Sequence, residues 1–453
     1  MLIDSETSRL RSLLVNSGRF DFREADERLL HTSLALAVDH AVLHTPAAQA
    51  ALLTAVAVGV RSFGEVSVPP GLDVGIMTRL PIPGRSIAEQ ALALGAIERA
   101  PKVGERLLVI GPSLYDDRHA AVRAVWSAWT ASVQPAMHSI ETGSSWCALA
   151  GATAGALGIA EAFLVEYGNV RAGRRVQRLG LWSPGILADG GSDPTEFALP
   201  LAEWLIGLGN LGQAHLWCLA LLPFPKPEDM LLTVQDFDIV KPENWGTSIL
   251  VQRGRYGMPK TQLAEQWCAA RGFKVRRIDR RVDAHLRRHD EEPLLAVAGL
   301  DRMPPRRLLG RVGFEHIVDV GLGAGADDYD QFRLTIFDRS RSPGEHFAAV
   351  EDRAVRGERE ALPAYQSLLS GGSIDPCGIA SLAGIPVAVP FVSLIASAVA
   401  IAQVIKLASG ATPIMSLTGS VGRLELLRTT TGREVSRPTF PVVPNVTWTP
   451  DDR

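Results

Sequence analysis

Residues 200–212 read PLAEWLIGLGNLG, and this stretch decides the fold. The apolar run before Gly207 is typical of a buried β-strand, and the apolar residues after Gly212 predict a helix. Between them, Gly207, Gly209 and Gly212 form a G-x-G-x-x-G turn, which lets a phosphate group approach the N-terminus of that helix closely. Because the strand and the helix are both present, the turn predicts a nucleotide site.

The next apolar run, MLLTVQ, predicts a second strand that ends at Asp236, 24 residues after Gly212. An acid at the tip of the second strand is where a nucleotide ribose is usually held, and this spacing is compatible with NAD, FAD or ATP. Further strand-like and helix-like runs alternate along the chain. They predict an α/β fold with a Rossmann-like, doubly wound, mostly parallel sheet.

Length and composition indicate a globular protein with two domains, or with one large domain and a substantial extension. The 453 residues are 46% hydrophobic and 21% charged, with 46 basic and 49 acidic side chains. This balance gives no reason to expect a nucleic-acid partner. A Pro-, Gly- and Asp-rich stretch at 183–196 predicts a boundary, which gives an N-terminal α/β region at 1–195, the nucleotide-binding domain at 196–430 and a C-terminal tail at 431–453.

The N-terminal region also contains periodic segments. Residues 20–62 carry helical spacings, 106–113 predict a strand, and 120–133 (AAVRAVWSAWTASV) predict a helix. Alanine-rich helices are expected near 146–168 and again at 393–410. Their similarity suggests a weak internal repeat, in which the first half is a degenerate copy of the second.

The apolar run within 376–405 is long enough to be considered as a membrane span. Its prolines, serines and glutamine favour a helix buried against protein, so no membrane contact is expected. The N-terminus has no basic and apolar signal sequence, which favours a cytoplasmic protein. The four cysteines form no C-x-x-C pair, so neither a paired-cysteine zinc site nor a disulfide framework is expected.

Taken in order, these motifs resemble the ThiF/MoeB and ubiquitin-activating superfamily. Members carry G-x-G-x-x-G, then D-x-D-x-V, a turn with asparagine, and G-x-x-K at the start of a helix. The matching residues here are Asp236, Asp238, Val240, Asn244, Gly257 and Lys260. The resemblance covers about 196–425 and implies a ThiF-type nucleotide fold that uses ATP with Mg²⁺.

The resemblance also implies the roles of individual residues. Asp236 would hold the ribose, with Asp238 beside it in the motif, and Asn244 and Lys260 would face the phosphates. A cation there has a chemical purpose, since attack of a carboxylate on the α-phosphate builds negative charge. Asp301, at a probable strand end, would be the Mg²⁺ ligand and a catalytic residue together with Lys260.

Cys377 corresponds to the cysteine that lies upstream of a small-residue helix in many members. It would be the nucleophile that takes the acyl group as a thioester, although a buried core cysteine is the alternative. The sequence departs from the family at Thr247, where an arginine is usual, and Arg253 or Arg255 could replace that arginine. The paired zinc cysteines of many relatives are also missing, which indicates a zinc-free branch.

The leading hypothesis is therefore an enzyme that adenylates the C-terminal carboxylate of a ubiquitin-like or sulfur-carrier protein. By analogy a homodimer is expected, residues 1–195 would be an inactive partner half or a docking module, and whether a conjugating enzyme follows is open. Two alternatives stay open: an NAD- or FAD-dependent oxidoreductase that uses the same glycine turn, and a nucleotide-binding pseudoenzyme scaffold.

Overall fold

The computed structural model describes residues 6–38, 40–112, 121–138, 146–185, 193–323, 325–350, 359–370, 379, 382–385, 387–432, 438 and 440–449. We refer to residues 6–185 as the N-terminal half and to residues 193–449 as the C-terminal half. Each half contains one large sheet covered by helices.

The N-terminal sheet has seven strands among the described residues, in the order β3-β2-β1-β4-β5-β6-β7. The strands from β3 to β5 are parallel, and β6 and β7 add antiparallel. Their bounds are β1 (Ser33–Val38), β2 (Glu65–Val68), β3 (Ile97–Glu98), β4 (Arg106–Ile110), β5 (Ala121–Ser127), β6 (Thr130–Pro135) and β7 (Gln177–Gly180).

Helices of the N-terminal half begin at recognisable caps. Asp21 and Glu24 form a reciprocal capping box at the start of the second helix, and Thr45 caps the third, which has Pro46 at its first position. The helices are α1 (Ser8–Asn16), α2 (Phe22–His31), α3 (Pro46–Gly59), α4 (Ile87–Ala93) and α5 (Ala148–Glu166), with a 3₁₀ turn at His40–His44.

The C-terminal sheet has eight described strands in the order β11-β10-β9-β12-β13-β14-β15-β16. Its first five strands are parallel and the last three antiparallel. The bounds are β9 (Ala202–Ile206), β10 (Leu231–Gln235), β11 (Lys274–Ile278), β12 (Leu295–Ala298), β13 (His316–Leu322), β14 (Gln331–Phe337), β15 (Ile414–Ser420) and β16 (Arg423–Thr431).

Helices of the C-terminal half connect and cover these strands. They are α6 (Asn210–Ala220), α7 (Lys260–Arg271), α8 (Met303–Leu308), α9 (Pro343–His346), α10 (Pro363–Ser370) and α11 (Pro390–Ala408), with 3₁₀ turns at Pro227–Asp229, Pro242–Asn244 and Leu309–Arg311. Within the predicted C-terminal tail, β17 (Val442–Thr447) pairs antiparallel with β8 (Glu196–Pro200), so this strand is part of the folded structure.

Both sheets have the same topology. We number the strands of each sheet in chain order, starting from β1 in the N-terminal sheet and from β9 in the C-terminal sheet. The spatial order of the first seven strands is then 3-2-1-4-5-6-7 in both sheets, and strands 6 and 7 are antiparallel. In each half an alanine-rich helix, α5 or α11, lies between the sixth and seventh strands. The predicted Rossmann-like α/β fold is therefore confirmed, and the shared strand order supports the predicted repeat.

Two local predictions in the N-terminal region are wrong. Residues 20–62 are not helical throughout, since β1 lies between α2 and α3. In the segment predicted as a helix at 120–133, the described residues 121–133 belong to the hairpin β5–β6, which turns at Ala128 with φ of 45°. In both segments the pairing with neighbouring strands overrides the helix propensity of alanine, and in β1 also that of leucine.

The two halves share one buried core, in which α3, α5, α6 and α11 pack together. The indole Nε1 of Trp217 on α6 donates to Thr54 Oγ1 on α3 at 3.0 Å, which joins the halves directly. Two described helices, α5 and α11, are long and apolar enough to cross a membrane, but 94% and 100% of their apolar windows are buried inside the protein. The expected buried helix near 393–410 is thus confirmed.

Candidate functional site

The glycine turn connects β9 to α6 at the carboxyl edge of the parallel strands. Gly207 has φ of +87°, and a Cβ there would lie 2.9 Å from the carbonyl oxygen of Gly299. A Cβ on Gly212 would lie only 2.0 Å from the carbonyl oxygen of Gly207. Both positions therefore require glycine to let the turn, the helix and β12 pack closely.

Gly209 differs from its two neighbours in the motif. It is the N-cap of α6 with φ of −75°, and a Cβ there would meet no described atom within 4 Å. Steric crowding within the described part of the chain therefore does not explain a glycine at this position. The space in front of the helix N-terminus, where backbone N–H groups are available for an anion, is open at Gly209.

Asp236 follows β10 directly and is bound to the glycine turn. Its Oδ2 accepts from the backbone N–H of Leu208 at 2.7 Å, and its Oδ1 accepts from the N–H groups of Phe237 and Asp238 at 2.7 and 2.9 Å. These bonds fix a half-buried carboxylate beside the first residues of the turn. The geometry suits an acceptor for ribose hydroxyls.

Lys260 and Asp238 form an ion pair at 3.0 Å. Lys260 is the first residue of α7, and its backbone N–H also donates to the Asp238 carbonyl oxygen at 2.9 Å. The ammonium-bearing side chain is 10% exposed, whereas that of Asp238 is 47% exposed. The lysine therefore holds a fixed charge near the edge of the sheet and keeps further N–H donors for an anionic ligand.

Asn244 ends the 3₁₀ turn Pro242–Asn244 and is buried. Its side-chain Oδ1 accepts from the backbone N–H of Lys241 at 2.9 Å, and its carbonyl oxygen accepts from Ser248 N–H at 2.8 Å. A phosphate would therefore meet the amide nitrogen of Asn244. Thr247, at the position of the usual family arginine, is buried beneath the same turn.

Asp301 is exposed in the loop that follows β12. The loop is fixed at both ends: Gly299 N–H donates to the Ile206 carbonyl at 2.9 Å, and the Leu300 carbonyl accepts from Arg306 Nε at 2.8 Å. Arg306 also pairs with buried Asp319 at 3.2 Å. Asp301 thus stands on a braced loop beside the glycine turn, at the same edge as Asp236.

A divalent cation fits this edge only with help from a ligand. Among the described residues there is no group of three or more His, Cys, Asp or Glu side chains that could hold a metal ion. Mg²⁺ bound with nucleotides commonly uses one or two carboxylates together with phosphate oxygens and waters. An exposed carboxylate such as Asp301 meets that requirement.

Arg9, which the sequence does not mark as a candidate, lies near the carboxylates of Glu243 and Asp301. It lies on α1, and its Nε is buried without a hydrogen-bond partner in the described part of the chain. Burial lowers the pKa of Arg9, and the carboxylates of Glu243 and Asp301 partly offset this shift. An arginine of the N-terminal half therefore lies near the carboxylates at this edge, and no motif spacing around Arg9 signals its position.

The segment before α1 fits closely against the Asn244 turn. A Cβ on Gly246 would lie 2.5 Å from the carbonyl oxygen of Glu6. The Glu6 carboxylate pairs with Arg253 at 3.0 Å and accepts from the Tyr256 hydroxyl. The Arg253 guanidinium also lies 3.8 Å from the ring centroid of Trp245, so this arginine is engaged at the junction with the N-terminal half. Arg255 is exposed.

Cys377, the predicted nucleophile, lies outside the described residues. The three described cysteines are buried, and burial raises the pKa of each thiol well above its usual range. A buried thiol that stays protonated is a poor nucleophile. These cysteines, which are Cys147, Cys218 and Cys268, are therefore core residues.

Comparison with known proteins gives matches in both halves. Residues 33–181 match the family described as the BilD N-terminal domain, and residues 199–411 match the BilD C-terminal domain. The bacterial E1-like protein BilD of Collimonas sp. (strain OK412) is 34% identical over 428 residues, which cover 92% of each chain.

Among solved structures, that of E. coli MccB aligns with a TM-score of 0.34 and 14% identity, and covers 55% of this chain and 66% of that chain. The structure of E. coli MccB with ATP aligns with a TM-score of 0.31 and 13% identity, and covers 53% and 66%. Similarity at this level carries no information about function.

Proposed function

Because this chain belongs to the BilD family of bacterial E1-like proteins, we propose that it is an ATP-dependent activating enzyme. Its substrate would be the C-terminal carboxylate of a ubiquitin-like or sulfur-carrier protein. The carboxylate attacks the α-phosphorus of ATP, the bond to the β-phosphate oxygen breaks, and the products are an acyl-adenylate and pyrophosphate.

One observation supports this proposal most: Asp236, whose carboxylate suits a ribose, and the basic side chains of Lys260 and Arg9 lie at the same edge of the sheet. Asp236 is tied to the glycine turn, Lys260 is held by Asp238, and Arg9 has Glu243 and Asp301 as its charged neighbours. Phosphoryl and adenylyl transfer depend on such fixed positive charge, since negative charge grows on the phosphate oxygens. Hydride transfer would make no use of two cations at this position.

Individual side chains would have separate tasks. Asp236 would accept from the ribose hydroxyls, the α6 N-terminus at Gly209 would receive a phosphate, and Lys260 would stabilise charge developing at the α-phosphate. Asp301 would hold Mg²⁺, which neutralises charge on the phosphates when it is bound. Asn244 would orient a phosphate through its amide nitrogen.

Cys377 would carry the second step. Its thiolate attacks the acyl carbon of the adenylate, AMP leaves, and a thioester forms, with the thiol proton going to solvent. This step depends on the sequence resemblance alone, and a conjugating enzyme would be the class of protein that consumes such a thioester. The predicted homodimer stays a prediction.

Pyrophosphate exchange tests the proposal. The purified chain is mixed with ATP, Mg²⁺, labelled pyrophosphate and a candidate carrier, preferably a small protein encoded next to it that ends in Gly-Gly. Label should enter ATP only when the carrier has a free C-terminal carboxylate, so a carrier with an amidated C-terminus is the matched control. Carrier-independent exchange, or NADH binding without ATP binding, would contradict the proposal.

The thioester step is tested separately with Cys377→Ser. The wild-type chain should form a carrier adduct that thiol reagents cleave, and the variant should keep pyrophosphate exchange but form no such adduct. A thiol-sensitive adduct that survives in Cys377→Ser would remove the nucleophile role from Cys377 and leave the adenylation proposal intact.

A further inference from the structure

Arg61 is a buried arginine that connects the N-terminal half to the candidate site. It follows α3, and its guanidinium is held by backbone carbonyls. Nη1 donates to the carbonyl of Ala57 in the preceding helix α3, and Nη2 donates to the carbonyls of Ile249 and Val251 at 2.9 and 2.8 Å. One side chain of the N-terminal half thus binds two carbonyls of the C-terminal half.

The bound carbonyls belong to the segment that carries the phosphate-side residues. Val251 N–H donates to the Ser248 carbonyl at 3.1 Å, and Ser248 N–H donates to the Asn244 carbonyl at 2.8 Å. The Arg61 guanidinium also lies 5.6 Å from the ring centroid of Trp245, which follows Asn244. A short chain of backbone hydrogen bonds therefore connects Arg61 to Asn244.

We propose that Arg61 is a positioning residue through which the N-terminal half sets the conformation of residues 244–251, and so the binding of the ATP phosphates. The inference depends on the proposed function only for the identity of the ligand. Under this proposal the N-terminal half shapes the nucleotide site directly, in addition to any role in docking.

The chemistry of the contact supports positioning over simple packing. Burial lowers the pKa of Arg61 to about 10, so the side chain is still charged at neutral pH. A buried charge is costly unless it is well hydrogen-bonded, and an apolar side chain would fill a core position without that cost. The planar guanidinium instead fixes the separation of two carbonyls, which a leucine or methionine could not do.

Arg271 offers a matched control within the same chain. Its Nε and Nη2 donate to the carbonyls of Ala220 and Leu222 at 2.8 and 3.1 Å, and burial lowers its pKa to about 10 as well. These carbonyls lie at the end of α6 far from the glycine turn. Replacing Arg271 therefore removes the same type of contact at a place remote from Asn244.

The experiment compares Arg61→Ala, Arg61→Lys and Arg271→Ala with the wild-type chain. In carrier-dependent pyrophosphate exchange, Arg61→Ala should raise the KM for ATP by about tenfold or more, because a misplacement of about 1 Å can cost two orders of magnitude. Arg61→Lys should be intermediate. Arg271→Ala should leave this KM within about twofold of wild type even when both alanine variants lower Tm equally. Millimolar guanidinium should partly restore Arg61→Ala and not affect Arg271→Ala.

Hydrogen exchange of the free chain gives a readout that needs no activity. Peptides covering 244–251 should lose protection in Arg61→Ala and keep it in Arg271→Ala. Equal effects of the two alanine variants on this segment, or an unchanged KM in an Arg61→Ala protein that has lost protection there, would overturn the proposal. A wild-type chain without exchange activity would instead overturn the proposed function, and the protection data would still decide whether Arg61 positions this segment.

Discussion

Gly209→Ala is the substitution that most directly tests whether phosphates approach the glycine turn. A Cβ at this position meets no described atom within 4 Å, and its φ of −75° is open to alanine. The folded chain can therefore accept the methyl group. The same group projects into the space in front of the α6 N-terminus, where the proposed phosphate would sit.

The effect on stability should be small, because two terms oppose each other. Replacing glycine by alanine at a compatible φ stabilises by about 0.4–1 kcal/mol through the unfolded chain. Alanine is a poorer N-cap than glycine, which costs a similar amount, roughly 0.5–1 kcal/mol. We therefore expect a Tm within about 2 °C of wild type.

The effect on ATP should be large. The added methyl group should push the phosphate about 1 Å or more away from the backbone N–H groups at the start of α6. Such a displacement can lower catalytic efficiency by about 100-fold. We expect a KM for ATP raised by one to two orders of magnitude in pyrophosphate exchange, and weaker ATP binding in calorimetry. Binding of the carrier alone should not change.

Gly212→Ala is the matched control for steric damage. Its Cβ would lie 2.0 Å from the Gly207 carbonyl oxygen, so the turn must shift, at a cost of about 3 kcal/mol by the range for overpacked positions. This variant should lose several degrees of Tm together with its activity. If Gly209→Ala binds ATP as tightly as wild type with an unchanged Tm, phosphates do not approach this turn, and the proposed nucleotide placement is refuted.

Three further outcomes are expected from the geometry of the site. Lys260→Ala should lower kcat for pyrophosphate exchange by about 100-fold or more, since it removes a charge at the reacting phosphate. The Tm should change little, because the ion-pair partner Asp238 is exposed. An unchanged kcat would show that Lys260 is not part of the site. Arg9→Ala should lower kcat/KM by at least about tenfold. The Tm should not fall, because burial already disfavours the charge of Arg9. A fall in Tm that accounts for the lost activity would indicate a structural role instead. Iodoacetamide at pH 8 should leave three buried thiols unmodified in the folded chain and modify them in denaturant; these are Cys147, Cys218 and Cys268. Peptide mass spectrometry reads the modification, and labelling of any of the three in the folded chain would contradict their burial.

The nucleotide half of the fold could be predicted from the sequence because its signals are local. The glycine turn, the strand before it and Asp236 follow one another along the chain, and their contacts in space are contacts between adjacent elements. The alanine-rich helix at 393–410 was likewise predictable, since a long apolar segment whose one charged residue, Lys406, lies near its end must be buried or in a membrane.

The N-terminal half was harder to predict for physical reasons. The strand Ser33–Val38 is rich in alanine and leucine and the hairpin around Ala128 is rich in alanine, residues that favour helix locally, and pairing with distant strands makes both segments β. Arg9 could not be found because its proposed role depends on where α1 lies against Glu243 and Asp301, which are 234 and 292 positions further along the chain. A lone arginine in an amphipathic helix carries no sequence signal of that kind.

The position of the N-terminal half bears on the predicted homodimer. That prediction rests on relatives that complete their sites with a neighbouring subunit or a pseudo-symmetric half. Here Glu6, Arg9 and Arg61 of the same chain already contact or face the segment around Asn244 and the loop of Asp301. We therefore propose that the N-terminal half, which has the same strand order as the C-terminal half, takes the place of a second subunit at the site. Activity per chain should then be independent of protein concentration, and a specific activity that falls on dilution in step with dissociation of a dimer would show that a second copy is required.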